Sequence, residues 1–264
     1  MLFIWKAQAY IYAKCYYDLY SFLLNYQLNV NFTSQDRLSL SLAQTTYSGG
    51  DTSLFESISG DIVDKGYSIR PYALPTNLTS LLSQHIIELP TDEFKRAGIG
   101  RTKDHMINDF IRTDAISWIT DDSEAGCAWI NWAESLQAYL NRRLFLGLFS
   151  FESHFAHYAK GDFYKKHKDA FKGEGNRVLS VVVYLNPHWA SSDGGELVIY
   201  DKNTPSSVVV DNSKITVIPS FGTIVVFLSE EFPHEVLAAK RDRYSIAGWF
   251  RLNNSIANNI DPPS

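Results

Sequence analysis

The chain has 264 residues, 45% hydrophobic and 20% charged, with a formal net charge of −5. This composition excludes collagen-like, disordered and coiled-coil chains, and the acidic balance argues against a whole-protein attraction to nucleic acid. Aromatic residues at 14%, with 15 Tyr and 16 Phe, favour strands and a solid core, and the two cysteines, Cys15 and Cys127, form no disulfide framework and suit a reducing cytosol. Met1 to Tyr26 is apolar and aromatic, but Lys6, Lys14 and Asp18 interrupt it. No run reaches the ~18–20 apolar residues of a spanning helix, and the charge arrives late and tyrosines crowd the centre, unlike a secretory signal. The segment therefore reads as a packed helix of a cytoplasmic protein, with no membrane contact. Residues 27 to 54 are polar and include Ser48-Gly49-Gly50-Asp51, the marks of a linker. Residues 1–54 are thus set apart from a domain over 55–264.

Within that domain, Ser53 to Asp64 predicts a short helix and Gly66 to Pro71 a strand. Leu74-Pro75-Thr76-Asn77 opens a second helix to about Glu88, with Leu78, Leu81, Leu82, Ile86 and Ile87 at helical spacing. Residues 93 to 113 carry Lys95, Arg96, Gly98, Gly100, Arg101 and Lys103 and read as a basic loop. Asp121-Asp122-Ser123-Glu124 places acids and a cap before a third helix to about Asn141; its Trp129, Trp132, Leu136 and Leu140 form one stripe, read as core. Beyond Arg143 the pattern changes to short β segments, at 144–158, 178–185, 196–200, 206–210, 214–218, 222–228, 234–238 and 243–251. Turn signals separate them: Gly173-Glu174-Gly175-Asn176, Asp193-Gly194-Gly195, Asp201-Lys202-Asn203 and Pro219-Ser220-Phe221-Gly222. Helices followed by short strands predict an α+β, mainly β fold, a jelly-roll core over about 144–251 with helices buttressing one sheet. The tail Asp261-Pro262-Pro263-Ser264 is expected to fray.

The chemistry-bearing residues begin with His167-Lys168-Asp169. On an extended segment residues i and i+2 face one side, so an imidazole and a carboxylate can meet at one point, and a second His would complete a two-His-one-carboxylate triad for a divalent transition metal. A single such pair carries little weight, because short motifs recur by chance. His234, in Pro233-His234-Glu235-Val236, stands at a strand start across several predicted strands; His157 is the lesser candidate, read as a β-face residue. Arg243 opens the strand Arg243-Tyr244-Ser245-Ile246-Ala247-Gly248-Trp249-Phe250, whose alternation puts Arg243, Ser245, Ala247 and Trp249 on one face. A buried arginine needs an anionic partner, and its planar fork is matched to a carboxylate.

Together these stretches resemble the 2-oxoglutarate- and Fe(II)-dependent dioxygenases, a double-stranded β-helix family, and within it the prolyl 4-hydroxylase branch with its hypoxia-inducible-factor type enzymes and their bacterial relatives. The resemblance runs from about residue 60 to 251. It is carried by His157 through Asp169, Val183-Tyr184-Leu185-Asn186, Gly194-Gly195-Glu196-Leu197, Pro233 through Arg243, and the stretches Phe94 to Arg101 and Ile111 to Ile119. It implies that His167, Asp169 and His234 bind Fe(II), and that Arg243 pairs with the distal carboxylate of 2-oxoglutarate with a hydrogen bond from Tyr184. Tyr158 would approach the co-substrate, and Trp249 would pack beside it. Arg101, Arg112 and Asp114 would lie at the substrate entrance, where Thr113 replaces the family's usual Gly. Tyr164 is a family position without an assigned role.

The resemblance further implies O2 as second co-substrate, stimulation by ascorbate, and hydroxylation of a prolyl residue in a protein or peptide with release of succinate and CO2. Three alternatives stay open. The oxygenase could act on a small molecule or another residue type. The barrel could be a non-catalytic metal or 2-oxoglutarate sensor. It could also be a cupin-like metal-binding barrel, which would not require Arg243.

Overall fold

The computed structural model describes residues 49–98, 110–170, 176–200 and 214–253, all within one unit of the chain, Tyr47–Ser264. Residues 1–48, Arg101 and most of its loop, the expected strand at 206–210, the turn signals at 173–175 and 201–203, and the C-terminal tail lie outside the described residues.

Helix α1 (Gly49–Lys65) begins four residues before the expected Ser53, and Trp132 donates its indole N–H to Asp51 in the first turn at 3.2 Å. Strand β1 (Tyr67–Arg70) and helix α2 (Thr76–Glu88) follow, the helix burying Leu78, Leu82 and Ile86. The expected basic loop contains a short strand, β2 (Lys95–Arg96), paired with β3 (Ala115–Trp118). Helix α3 (Glu124–Leu144) starts at Ser123, whose hydroxyl accepts from the Gly126 N–H and so satisfies one of the helix's unpaired donors. Trp129, Trp132, Leu136 and Leu140 are all buried on α3, as the apolar stripe predicts.

The remaining strands are β4 (Ser150–Tyr158), β5 (Tyr164–His167), β6 (Arg177–Tyr184), β7 (Leu197–Tyr200), β8 (Lys214–Val217), β9 (Ile224–Leu228), β10 (His234–Val236) and β11 (Arg243–Arg251). Among the described residues they form two antiparallel sheets, a seven-stranded one in the order β1-β9-β6-β11-β4-β3-β2 and a four-stranded one in the order β5-β10-β7-β8. This is the mainly β jelly roll with helices on one sheet.

The larger sheet is buried on both faces, and strand alternation sorts its residues. Phe155, Leu179, Val181, Val183, Ile224, Val226, Ile246 and Phe250 pack with the helices. Ala156, Tyr158, Tyr184, Val225 and Phe227 face the other way and pack with Leu197, Ile199, Val217 and Val236 of the smaller sheet. The second space, between the sheets, is where the polar side chains collect. No helix among the described residues is long and apolar enough to cross a membrane.

Candidate active site

The antiparallel pairing of β5 with β10 sets His234 directly opposite His167, and Asp169 follows just beyond the end of β5. One ligand atom from each of His167, Asp169 and His234 lies within 4.8 Å of the others. His167 Nε2 is 3.6 Å from Asp169 Oδ1, and His234 Nε2 is 3.6 Å from Asp169 Oδ2. Each ring is turned by a backbone carbonyl: Nδ1 of His167 lies 2.8 Å from the Lys165 oxygen, and Nδ1 of His234 lies 3.0 Å from the Phe232 oxygen. With Nδ1–H donating to those carbonyls, both Nε2 lone pairs face the carboxylate, the arrangement in which outer partners orient metal-ligating imidazoles. Burial favours the uncharged form of Asp169, but the imidazoles of His234 and His167 and the Ser180 hydroxyl outweigh it and hold the carboxyl well below its ordinary range. Burial pushes His234 down to about 4, with His167 adding to the effect and Asp169 opposing it. The cluster thus brings together two imidazoles and one carboxylate, and this donor set fits a divalent transition metal with open coordination positions.

On the inner face of β11, in the larger sheet, Arg243 is 1% exposed. Its Nε–H donates to the Gly195 carbonyl at 2.8 Å and Nη1–H to the Ser245 hydroxyl at 3.1 Å. Gly195 has φ +70°, and a Cβ there would lie 3.0 Å from Arg243 Cδ, so a side chain at this position would push the guanidinium aside. No carboxylate among the described residues pairs with Arg243. Tyr158 and Tyr184 flank it, with ring centroids 4.8 and 5.1 Å from the guanidinium carbon. The Tyr184 hydroxyl is buried with no partner other than the neighbouring Arg243, and burial, opposed by the charge and proximity of that guanidinium, pushes it up to about 12. A buried guanidinium with no carboxylate beside it, next to a buried hydroxyl, is costly unless a ligand completes the pair. The complement is an anionic oxygen.

Trp249 lies on the same face, its ring stacked by the Arg177 guanidinium at 3.6 Å, and Arg177 is held by Glu152 at 2.7 Å. Arg112 and Asp114 form a forked ion pair, Nε to Oδ1 at 2.8 Å and Nη2 to Oδ2 at 2.6 Å, with the Asp114 side chain fully buried. Burial alone would lower Arg112; the Asp114 carboxylate more than offsets it and raises the guanidinium above its ordinary value. Thr113, between them, accepts a hydrogen bond from the Phe163 N–H through its hydroxyl at 3.0 Å. His157 faces the helix side, stacked on Tyr244 at 4.7 Å, and takes no part in the cluster. A separate cavity of about 230 Å³, lined by His85, Glu93, Trp118, Asp122 and Phe155 among others, contains no member of the cluster.

Three groups at the site were not singled out by the sequence. Ser180 donates to Asp169 Oδ2 at 2.6 Å; alternation along β6 from Tyr184 through Val182 reaches it, and that was the available signal. Arg177 should by alternation face the helices with Leu179, but the β6–β11 register shifts between Phe250 and Arg251 and turns it inward. His154, inward on β4, is 3% exposed between Trp118 and Trp249, with ring centroids 5.4 and 5.5 Å away.

With this geometry in place, comparison with known proteins converges. Residues 153–251 match the 2OG-Fe(II) oxygenase superfamily. The crystal structure of a Pseudomonas putida prolyl-4-hydroxylase superposes with a TM-score of 0.66 at 35% identity, covering 75% of this chain and 99% of that one. A Trichoplax adhaerens prolyl hydroxylase, solved with a hypoxia-inducible-factor oxygen degradation domain peptide, gives 0.66 at 25% identity over 78% of this chain and 94% of that one. A Xenopus laevis prolyl 3-hydroxylase, OGFOD1, is 31% identical over 102 residues, which are 36% of this chain and 18% of that protein; the matched region is thus a small part of that relative's length. The chain belongs to the 2-oxoglutarate- and Fe(II)-dependent oxygenase superfamily, in its prolyl 4-hydroxylase branch. Membership implies Fe(II) as cofactor and 2-oxoglutarate and O2 as co-substrates.

Proposed function

We propose that the protein hydroxylates a prolyl residue of a protein or peptide, with His167, Asp169 and His234 holding Fe(II) and Arg243 holding 2-oxoglutarate. The observation that carries this reading is that two features, one on each sheet, open into the space between the sheets. One is a His-Asp-His donor set within 4.8 Å; the other is a buried guanidinium without a protein counter-ion beside the buried Tyr184 hydroxyl. Fe(II) bound to such a triad supplies the oxidative decarboxylation of 2-oxoglutarate to succinate and CO2, coupled to insertion of one oxygen atom into a C–H bond. The protein's own residues bind, orient and exclude water. Arg243 and Tyr184 take the distal carboxylate, and Gly195 and Ser245 fix the plane of the Arg243 fork. Tyr158 and Trp249 wall the space around the co-substrate, and Arg112 and Asp114 border the entrance for the prime substrate. Ascorbate is expected to stimulate turnover by returning oxidised iron to Fe(II), and a cytoplasmic location follows from the reducing-compartment reading of the cysteines.

The prolyl substrate is supported by the family branch and by the peptide-bound relative. The test is 2-oxoglutarate consumption with Fe(II) and ascorbate, followed by a search for a mass gain of one oxygen on proline in protein extract. Asp169→Ala should abolish succinate release. Full activity in that variant overturns the metal assignment, whereas succinate release with oxygen found only on a metabolite overturns the prolyl substrate alone.

A further inference from the structure

Tyr164 and His167 stand three residues apart on β5, yet their rings stack with centroids 3.5 Å apart and planes 13° from parallel. In a regular strand residues i and i+3 face opposite sides. The pairing with β10 explains the stack. His234 pairs with His167 and Val236 with Tyr164, so two steps on β10 answer three on β5. The extra residue is a bulge, a device that re-aims a side chain beside a site. A second contact fixes the same ring. Arg112 bridges to Tyr164 through the backbone and sets its guanidinium carbon 4.4 Å from the Tyr164 centroid. With one face taken by the imidazole at 3.5 Å, the guanidinium has only the other face to occupy. Arg112 is itself held in plane by both oxygens of buried Asp114.

Of the two imidazoles, His167 is the one in need of such support. Its side chain is 16% exposed, against 7% for His234, and His234 is additionally packed against the Phe227 ring at 4.8 Å. The carbonyl contact at Nδ1 leaves the His167 ring free to rock about that bond; a parallel aromatic face at 3.5 Å restrains it.

We infer that Tyr164, clamped by Arg112, is a positioning residue that holds the His167 plane toward Asp169, and that the β5 bulge exists to place it there. The inference rests on His167 serving as a metal ligand. The ring face carries the effect, so the hydroxyl is dispensable.

The experiment is Mn(II) titration of the metal-free full-length protein, with the visible spectrum of the Co(II) form as a second reading and thermal unfolding as a check on folding. Wild type should bind one Mn(II), and His167→Ala should lose it. Tyr164→Phe should match wild type in both affinity and Co(II) spectrum. Tyr164→Leu should bind Mn(II) about tenfold more weakly, in the range of outer-shell partners, with a shifted Co(II) band. Tyr164→Val, suited to a strand, decides the matter should the Leu variant not fold. Arg112→Lys keeps a charge opposite Asp114 but gives up the planar face, and a loss of about two- to threefold is expected. Wild-type affinity and spectrum in the Leu or Val variant overturn the positioning role, as does a loss in Tyr164→Phe as large as in those variants. Absence of Mn(II) binding in wild type, or its retention in His167→Ala, overturns the ligand assignment instead.

Discussion

At the scale of single residues, Arg243 carries the most specific chemistry. A guanidinium has five N–H donors; Arg243 gives one to the Gly195 carbonyl and one to the Ser245 hydroxyl, which leaves an edge to grip an anion. Those two protein contacts also set its direction, because a fork tethered at Nε and Nη1 cannot swing. Removing it should act on co-substrate capture before it acts on chemistry. Arg243→Ala is expected to raise the KM for 2-oxoglutarate, with a loss of about 2–5 kcal/mol for a desolvated charge pair, while Fe(II) or Mn(II) affinity holds. Arg243→Lys should not restore it, since an ammonium cannot reproduce the two-point contact. Steady-state kinetics against 2-oxoglutarate checks both; an unchanged KM in Arg243→Ala would place the co-substrate elsewhere.

At the scale of elements, a single strand divides stability from function. On β6 Val181 is 1% exposed and packs with the helices, while its neighbour Ser180 points inward and donates to Asp169 at 2.6 Å. Val181→Ala should cost about 2 kcal/mol of stability through lost packing with metal affinity unchanged. Ser180→Ala should weaken metal binding by about tenfold with little change in the unfolding midpoint; urea unfolding beside Mn(II) titration separates the two. This alternation is also why so much was legible in the sequence. Arg243, Ser245, Ala247 and Trp249 were assigned to one face by period alone, and the structure has Arg243, Ser245 and Trp249 buried there. The Trp129 stripe and the Ser123 cap of α3 were readable because helix periodicity and cap chemistry are local. What escaped was whatever a register shift decides. The bulges that turn Tyr164 toward His167 and Arg177 toward Trp249 depend on the partner strands β10 and β11, and nothing within β5 or β6 announces them. The short strands β2 and β3 escaped for the related reason that their residues look like loop until the edge of β4 is there to pair with β3.

For the molecule as a whole, the space between the sheets imposes a dependence of stability on pH. His154 is pushed down to about 4, chiefly by burial, with the Arg112 and Arg177 charges adding to it and Asp114 and the Phe155 carbonyl opposing it. His234 is pushed to about 4 by burial, with His167 adding and Asp169 opposing. Unfolded, each imidazole titrates near 6.5. Between these values the unfolded chain binds protons that the folded one does not, so stability rises with pH across that window and falls as pH drops through it. Below about 4 the folded state also protonates, and these two groups cause no further loss. Above about 6.5 both states are neutral and their contribution is flat. The loss across the window is about 3 kcal/mol per histidine. His154→Phe keeps a ring between Trp118 and Trp249 and removes one of the two titrations, so the metal-free variant should show a decline from pH 6.5 to 4 shallower by about half. Urea unfolding at half-unit steps of pH measures this. A variant as steep as wild type would mean that His154 takes up its proton alike in the folded and unfolded chains, and that burial between Trp118 and Trp249 does not hold it neutral.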